Sequence, residues 1–441
     1  MKVSVIKTIQ GQSPMKLEYL NVTNDDITEN NLICIFPEVE YQEVSGFGGA
    51  FTEAAASTFS QLSKSNQEKL LKLYFDKQEG IGYTCGRIHI NSCDFSLGNY
   101  SCIEENDVSL KSFNIKRDKK FVIPMIKAAQ KYTDISIFAS PWSPPAFMKT
   151  NGQMNNGGKL KKEFYELWSD YFVKFIEEYK KEGVSISAIS VQNEPKATQI
   201  WDSCVYTAEE EKNFIKNHLG RKMQNLGIDL YFWDHNKERI IERATCMLKD
   251  DEASKYVKGI AFHWYSGDHF EQLDIFKKLY PDKQLIFSEG CYEYSLGKSC
   301  TTQIGEKYAH DIIGNFNNGC NAFYDWNILL NEDGGPNHVG NYCDSPIMAD
   351  TKNNILHIHD SYYYIGHFSK FVRQGAKRIA SSKWISQIDT ISFKNPDGNI
   401  VSVVLNSTDN EYDFSFRIMG KIVSSKIEPH SIATYIFPNN I

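Results

Sequence analysis

The chain has 441 residues, of which 41% are hydrophobic, 23% charged and 13% aromatic. This composition is typical of a globular protein and excludes a disordered or fibrous one. The formal net charge of -7 gives no sign of a basic surface for nucleic acid or anionic lipid. No segment approaches the roughly 20 uninterrupted apolar residues that a membrane helix needs.

The N-terminus lacks the apolar core of about 7 to 15 residues that defines a secretory signal, because the chain turns polar at residues 10–12. We therefore predict a cytoplasmic location, with export by another route or removal of a leader as the open alternatives. The chain has 10 cysteines and no CxxC pair. We predict that they are reduced, mostly buried thiols and that they bind no zinc.

The middle of the chain alternates short β-branched or aromatic runs with longer amphipathic patterns. The predicted strands are 47–51, 83–90, 135–142, 185–193, 230–236, 258–265, 285–290 and 321–330. The helical patterns between them include 61–75, 161–181, 207–219 and 269–279, the third of which opens with the capping-box pair Thr207 and Glu210. Eight strands alternating with helices predict a (β/α)8 barrel at 46–372. A doubly wound sheet is disfavoured because Gly-Phe-Gly-Gly at 46–49 does not match GxGxxG.

Both ends of the chain have a different pattern, with a period of two residues. From 373 onward, apolar alternation at 390–394 and 400–405 flanks Asn-Pro-Asp-Gly at 395–398, which predicts a β-hairpin. Shorter runs of a similar kind occur near the N-terminus, at 17–22 and 32–36. We predict an antiparallel β-sandwich built from residues 1–45 and 373–441, with the barrel inserted between its two parts.

Two predicted barrel strands end in a glutamate. The fourth runs into Asn193 and Glu194, and the seventh ends at Glu289. Because the carboxyl ends of barrel strands form one face, these carboxyl groups should face each other across its mouth. One carboxylic acid and one carboxylate in that arrangement are what glycoside hydrolysis needs. Each glutamate alone could be an ordinary surface residue, but the pair favours a catalytic role.

Aromatic residues close three more strands, at Trp142, at residues 263–265 and at Trp326. Sugars dock their C–H faces against such rings, and the neighbouring Pro, Asn and Asp residues favour a rim over a core position. Histidines at 89, 357 and 359 could suggest a metal site. We predict none, because 357–360 falls in a predicted loop and His263 is the only other histidine at a strand end.

The sequence resembles the glucosylceramidase-like group of glycoside hydrolase family 30, which includes lysosomal acid β-glucosidase. The matching segments occur in the family's order at 46–50, 92–96, 139–144, 193–195, 263–265, 288–289, 325–327, 334–337, 344–346 and 366–371. The resemblance implies a (β/α)8 barrel with an attached β-sandwich, and a retaining mechanism without a cofactor. It implies a β-glucoside or glucan substrate. Charge and hydropathy predict no nucleic-acid partner and no integral membrane segment, and the lack of an obvious exposed heptad or amphipathic interface predicts a monomer or dimer.

The resemblance also implies roles for ten residues. Glu194 would be the acid/base and Glu289 the nucleophile. The sugar contacts would be Asp94, Trp142, Asn193, Trp326 and Asn341, with Asn193 on the 2-hydroxyl. Tyr265 and His263 would orient the nucleophile, and Arg87 would be a buried partner of the catalytic carboxylates. On this basis we expect a raised pKa for Glu194, an ionised Glu289, and carboxyl groups about 5 to 5.5 Å apart.

Two segments depart from the family pattern, 290–298 after the nucleophile and 353–360. Both would flank the leaving group, so ceramide is the weakest part of the inference. We predict a retaining β-glycosidase acting on β-D-glucosides. The alternatives within the family are an endo-β-1,6-glucanase and a β-xylosidase or β-fucosidase. A non-catalytic carbohydrate-binding protein is disfavoured because both glutamates are present.

Overall fold

The computed structural model describes residues 2–25, 28–294 and 301–441. Eight parallel strands close into a barrel, which confirms the predicted architecture. The barrel strands are Gly46–Ala50, Cys85–Ile90, Ser136–Pro141, Ile186–Ser190, Asp229–Asn236, Gly259–His263, Gln284–Glu289 and Cys320–Asn327. Each of them overlaps the strand predicted at that place in the sequence.

The barrel is tightly closed where its first strand passes the second. A Cβ atom on Gly48 would lie 2.0 Å from the carbonyl oxygen of Cys85, so only glycine fits this approach. This requirement explains the glycine-rich first strand, which is not a nucleotide-binding turn. Inside the barrel, Phe138 packs against Tyr231 and Tyr324 with ring centroids 5.9 and 5.7 Å away. Aromatic side chains therefore fill the interior and form the floor beneath the barrel mouth.

Helices surround the barrel. The α-helices are Glu53–Gln61, Lys64–Phe75, Lys116–Lys120, Val122–Ala129, Tyr165–Lys181, Ala208–Phe214, Gly220–Leu226, Ile240–Leu248, Asp251–Ser254, Phe270–Leu279, Thr301–Asn317 and Asp360–Ser369. Shorter turns are the 3₁₀ segments Ala146–Met148, Lys162–Phe164 and Lys237–Arg239 and the π segment Ile215–Leu219. The predicted capping box is present, with the Thr207 side chain accepting from the Glu210 amide. Within the described ranges, no helix is long and apolar enough to cross a membrane.

The helix Tyr165–Lys181 shows why these segments pack on the barrel. Its buried residues recur at three- and four-residue spacing, for example Trp168, Phe172 and Phe175. That spacing puts them on one face of an α-helix. The polar residues of the same segment point outward. Burial of this aromatic face is the main stabilising contribution of the helix.

Ten strands from both ends of the chain form the sandwich, and the fold class is as predicted. They are Lys2–Ile9, Lys16–Asn21, Thr23–Asn24, Leu32–Glu43, Lys377–Lys383, Asp389–Lys394, Ile400–Asn406, Tyr412–Ile418, Lys421–Ile427 and Ser431–Phe437. The first strand pairs antiparallel with the last, and the predicted hairpin joins Asp389–Lys394 to Ile400–Asn406. A separate core that includes Phe416 and Tyr435 lies between its layers.

A small sheet of Leu330–Asn331, Ile347–Asp350 and Ile355–Ile358 lies beside the barrel mouth. His357 is therefore in a strand, and the prediction of a loop at 357–360 was wrong. The apolar alternation there is only four residues long, which is too short to be distinctive in sequence.

The sandwich is fixed to the barrel through the helix Thr301–Asn317. Phe316 packs edge-on against Phe393, with ring centroids 6.0 Å apart. His310 Nδ1 lies 2.7 Å from Asp389 of the sandwich, and its Nε2 lies 3.2 Å from Asp268 of the barrel. The hydrogen bond with Asp389 raises the pKa of His310 to about 9, so a cation joins the two domains at neutral pH.

Candidate active site

A pocket of about 360 Å³ opens at the carboxyl ends of the barrel strands. Eight of the ten sequence-predicted site residues line it: Asp94, Trp142, Asn193, Glu194, Tyr265, Glu289, Trp326 and Asn341. The other two, Arg87 and His263, are 0% exposed and lie directly beneath. The structure thus brings all ten residues to one site.

The two glutamates reach the pocket from opposite sides. Glu289 is the last residue of its strand, and Glu194 follows its strand in a left-handed conformation with φ of 48°. His263 lies between them: its Nδ1 is 3.1 Å from an oxygen of Glu194 and 3.9 Å from an oxygen of Glu289. The carboxyl groups of Glu194 and Glu289 therefore both lie close to the same nitrogen, Nδ1 of His263.

Arg87 is the buried cation of the site. Its guanidinium donates to Glu289, and at 2.9 Å each to Asn193 Oδ1 and Asp234 Oδ2. Its planar fork matches several acceptors at once, which a lysine could not do. Arg87 therefore fixes the orientation of three side chains at the pocket floor.

Glu289 also accepts a hydrogen bond from Tyr265 Oη at 3.0 Å. Burial is the strongest influence on this carboxyl group and raises its pKa, while the charges of His263 and Arg87 act in the opposite direction. The two hydrogen bonds hold its oxygens in a fixed orientation toward the pocket.

The environment of Glu194 differs from our expectation. Burial raises its pKa, but the hydrogen bond with His263 and the charge of His235 outweigh burial, so the pKa lies below its ordinary value. Burial also opposes the charge on His263, yet the negative charge of Glu289 and the bond with Asp234 raise the pKa of His263 to about 9. The expected raised pKa of Glu194 was wrong because sequence did not show that two imidazoles face it.

Sequence reasoning missed Asp234, the common acceptor beneath the pocket. It is 0% exposed and accepts from Ser190 and Ser288 at 2.6 Å each, in addition to Arg87 and His263. Burial opposes its charge, but Arg87 and His263 hold the pKa of Asp234 far below its ordinary range. The polar end of the predicted strand 230–236 was the available signal.

The wall of the pocket on one side is aromatic. Trp142 and Trp326 stack with centroids 5.2 Å apart, and they are only 2% and 3% exposed. They are side walls of a pocket, not an exposed rim. Next to them, Asn341 Nδ2 donates to Asp94 Oδ2 at 3.1 Å. Burial, aided by the charge of Glu289, raises the pKa of Asp94 to about 8.

Trp264 does not line the pocket, although the aromatic motif at 263–265 predicted a position at its rim. It packs against Phe287 and Tyr308 with centroids 5.7 and 4.7 Å away, in the layer between barrel and helices. Trp264 and Tyr265 both follow the strand that ends at His263, and their side chains point to different sides, so Tyr265 lines the pocket and Trp264 does not.

Among the described residues, one group has ligand atoms close enough for a metal ion: Glu194, His235 and His263. Both nitrogens of His263 already face carboxylates, at 3.1 Å each. The other histidines lie elsewhere: His89 accepts from the Glu53 amide, and His359 pairs with Asp344. We assign no metal, and its absence stays a prediction.

Protein-family models match residues 44–372 to the glycosyl hydrolase family 30 TIM-barrel domain and residues 375–435 to the beta sandwich domain of the same family. The chain belongs to glycosyl hydrolase family 30. It is therefore a glycoside hydrolase, and the resemblance inferred from its motifs is confirmed.

Family 30 relatives of known activity differ in substrate. The chain is 35% identical over 430 residues to the lysosomal acid glucosylceramidase of Mus musculus, covering 92% of this chain and 83% of the mouse enzyme. It is 26% identical to the endo-1,6-beta-D-glucanase of Neurospora crassa, covering 91% and 87% of the two chains. The crystal structure of SrfJ from Salmonella typhimurium superimposes with a TM-score of 0.97 at 38% identity, covering 99% of this chain and 100% of SrfJ.

The remaining pocket wall in this family 30 enzyme comes from the end of the strand Asp229–Asn236 and from loops, including the divergent segment after Glu289. They contribute Ala197, Gln199, Trp201, His235, Asn236, Cys291, Glu293 and Cys343. His235 Nδ1 is buried and has no hydrogen-bond partner among the residues that the structure describes. Of the divergent segment 290–298, residues 295–298 lie outside the described residues, as does Cys300.

Proposed function

We propose that this chain is a retaining β-glycosidase that hydrolyses β-D-glucosides by double displacement at Glu194 and Glu289. The observation that carries the proposal is the pair of carboxyl groups around His263 Nδ1, at 3.1 and 3.9 Å, at the floor of a partly enclosed pocket. Two carboxyl groups on opposite sides of one sugar site are the minimal machinery of glycoside hydrolysis.

Glu289 is the nucleophile in this mechanism. Its oxygen attacks the anomeric carbon while the glycosidic C–O bond breaks, which gives a covalent glycosyl-enzyme. Arg87 and Tyr265 hold the carboxylate in one orientation before the sugar binds. Such fixed hydrogen bonds lower the barrier because they need no rearrangement during the reaction.

Glu194 is the acid that protonates the leaving oxygen. In the free enzyme His263 holds the proton that Glu194 later delivers, and its Nδ1 lies 3.1 Å from Glu194 Oε1. As Glu289 becomes an ester, it loses the charge that keeps His263 protonated, so Nδ1 gives its proton to Glu194 Oε1 and Glu194 passes it to the leaving oxygen. Glu194 then takes a proton from water, which attacks the glycosyl-enzyme and releases the sugar.

The walled end of the pocket suits a terminal glucose. Asp94 and Asn341 offer hydrogen-bond partners for outer hydroxyls, and Trp142 with Trp326 offers a flat apolar surface for the ring. Asn193, held by Arg87, would meet the 2-hydroxyl. Asp94 is only 5% exposed behind this wall, so the described residues close this end of the pocket around one sugar, which favours exo action.

The leaving group occupies the open end beside Trp201 and Tyr265, of which Tyr265 is 43% exposed. The mouse relative is named a glucosylceramidase, and the proposal extends that activity to this chain. An endo-β-1,6-glucanase is the second candidate because of the Neurospora crassa relative. The buried end of the pocket counts against it.

The test is a substrate panel: aryl β-D-glucoside, aryl β-D-xyloside, aryl β-D-fucoside, glucosylceramide and β-1,6-glucan. We expect glucose release from the aryl glucoside and glucosylceramide, with kcat/KM for the xyloside and fucoside lower by about 10-fold or more, since each lacks a group that a polar site binds. Release of oligosaccharides from the glucan alone would replace the exo-glucosidase by the endo-glucanase. An enzyme that prefers xyloside or fucoside would contradict the assigned sugar.

A further inference from the structure

Two thiols meet at the rim of the pocket, outside the catalytic groups. Cys291 Sγ and Cys343 Sγ are 3.2 Å apart, closer than any other contact that either sulfur makes in the described part of the chain. Both line the pocket, Cys343 being 5% exposed and Cys291 partly exposed. A small molecule in the pocket can therefore reach them.

The backbone holds the two thiols in this arrangement from both sides. Residues 292–294 run antiparallel to 342–344, with amide–carbonyl bonds from Asp344 to Tyr292 at 2.7 Å and from Tyr294 to Tyr342 at 3.1 Å. The Cys343 amide also donates to the Gly334 carbonyl at 3.0 Å. A disulfide needs sulfurs about 2.05 Å apart, so the two sulfurs have to approach by about 1 Å.

We propose that Cys291 and Cys343 form a reversible disulfide that lowers the activity of the site. The co-reactant is a small-molecule disulfide of the form R–S–S–R. One cysteine thiolate attacks it, giving a mixed disulfide and one R–SH; the second cysteine thiolate then displaces the other R–SH. One S–S bond breaks and one forms, two electrons pass from the cysteines to the reagent, and the two thiol protons end on the released thiols.

The position of the pair explains why the link affects turnover. Cys291 Sγ is 3.4 Å from Tyr265 Oη, the hydroxyl that donates to Glu289. Asn341, two residues before Cys343, donates to Asp94. Formation of the disulfide removes the contact between Cys291 Sγ and Tyr265 Oη. It also links the segment that follows Glu289 covalently to the segment that carries Asn341.

The contact with Cys343 and burial raise the pKa of the Cys291 thiol well above its usual range. A thiol that is mostly protonated reacts slowly with disulfides, because the thiolate is the attacking species. Oxidation should therefore need an excess of reagent and prolonged incubation at neutral pH.

The test uses the full-length enzyme, reduced, desalted and incubated with excess oxidised glutathione. Peptide mass mapping after alkylation should find a Cys291–Cys343 cross-link, and kcat/KM on the aryl glucoside should fall by roughly 10-fold, since a displacement of about 1 Å in a site costs up to about 10²-fold. Dithiothreitol should restore the reduced value.

Each variant is compared with itself before and after oxidation. Cys291→Ser and Cys343→Ser should no longer respond, whereas Cys246→Ser and Cys300→Ser should respond as the parent does. Two free or separately glutathionylated thiols, a cross-link without loss of activity, or a responsive Cys343→Ser variant would each overturn the proposal. Peptide mapping needs no substrate, so inactivity of the reduced enzyme would count against the proposed function alone.

Discussion

Replacing the proposed nucleophile, Glu289→Gln, is expected to lower kcat on an aryl β-D-glucoside by about 10⁴-fold or more, equivalent to about 5.5 kcal/mol in the barrier. The amide has nearly the same shape, so it still meets Arg87 and Tyr265, but its nitrogen and oxygen do not attack the anomeric carbon. The measurement is steady-state kinetics on purified protein whose thermal unfolding confirms a folded state.

Glu293→Gln is the matched control, because Glu293 also lines the pocket, is exposed, and lies four residues further along. We expect its kcat to stay within about 10-fold of the parent, since it faces the leaving group and not the anomeric carbon. Equal losses in both variants, or an active Glu289→Gln, would remove Glu289 from the role of nucleophile.

Arg87→Gln should cause the largest loss of stability among single changes in the pocket. Arg87 and Asp234 are both 0% exposed, and the change removes one of two cations, Arg87 and His263, that face both Asp234 and Glu289. Breaking a buried ion pair from one side costs about 3 to 5 kcal/mol because a charge remains buried and unpaired. Urea denaturation, followed by tryptophan fluorescence, measures the free energy of unfolding.

Arg239→Gln controls for the loss of an arginine as such. Arg239 pairs with Glu242 three residues along the same surface helix, and both side chains are solvent-accessible. Exposed pairs of this kind contribute about 0 to 1 kcal/mol, so the change should be small. An Arg87→Gln protein as stable as the Arg239→Gln protein would show that the buried network does not depend on its cation.

The sequence was sufficient for the barrel because each strand is a short run rich in apolar, aromatic or small residues, and most of these runs are separated by amphipathic helices. The same rule located both glutamates, since strand ends of a barrel meet at one face. Trp142 and Trp326 were found as strand-end aromatics, and their motifs supplied the link to the family. Those signals are local in sequence, so they can be recognised without a structure.

What the sequence did not predict depends on contacts between distant segments. Asp234 reaches Arg87, His263 and three serines across the barrel, and no local pattern shows that convergence. The lowered pKa of Glu194 follows from the same geometry. Cys291 and Cys343 are 52 positions apart and meet only because their two loops pair.

The position of Trp264 was mispredicted for a different reason. The motif treated three consecutive residues as one unit, while the side chains of Trp264 and Tyr265, which follow the strand that ends at His263, point to different sides. His263 and Tyr265 point toward the site, and Trp264 packs outward on Phe287.

The central claim, double displacement through Glu289, is tested most directly by the anomer that the enzyme releases first. Proton NMR of aryl β-D-glucoside hydrolysis, recorded before mutarotation, distinguishes the two anomers of glucose. Two inversions at the anomeric carbon predict that β-D-glucose appears first and α-D-glucose only later. Initial release of α-D-glucose would mean a single displacement by water, and the account of Glu289 as a nucleophile would be wrong.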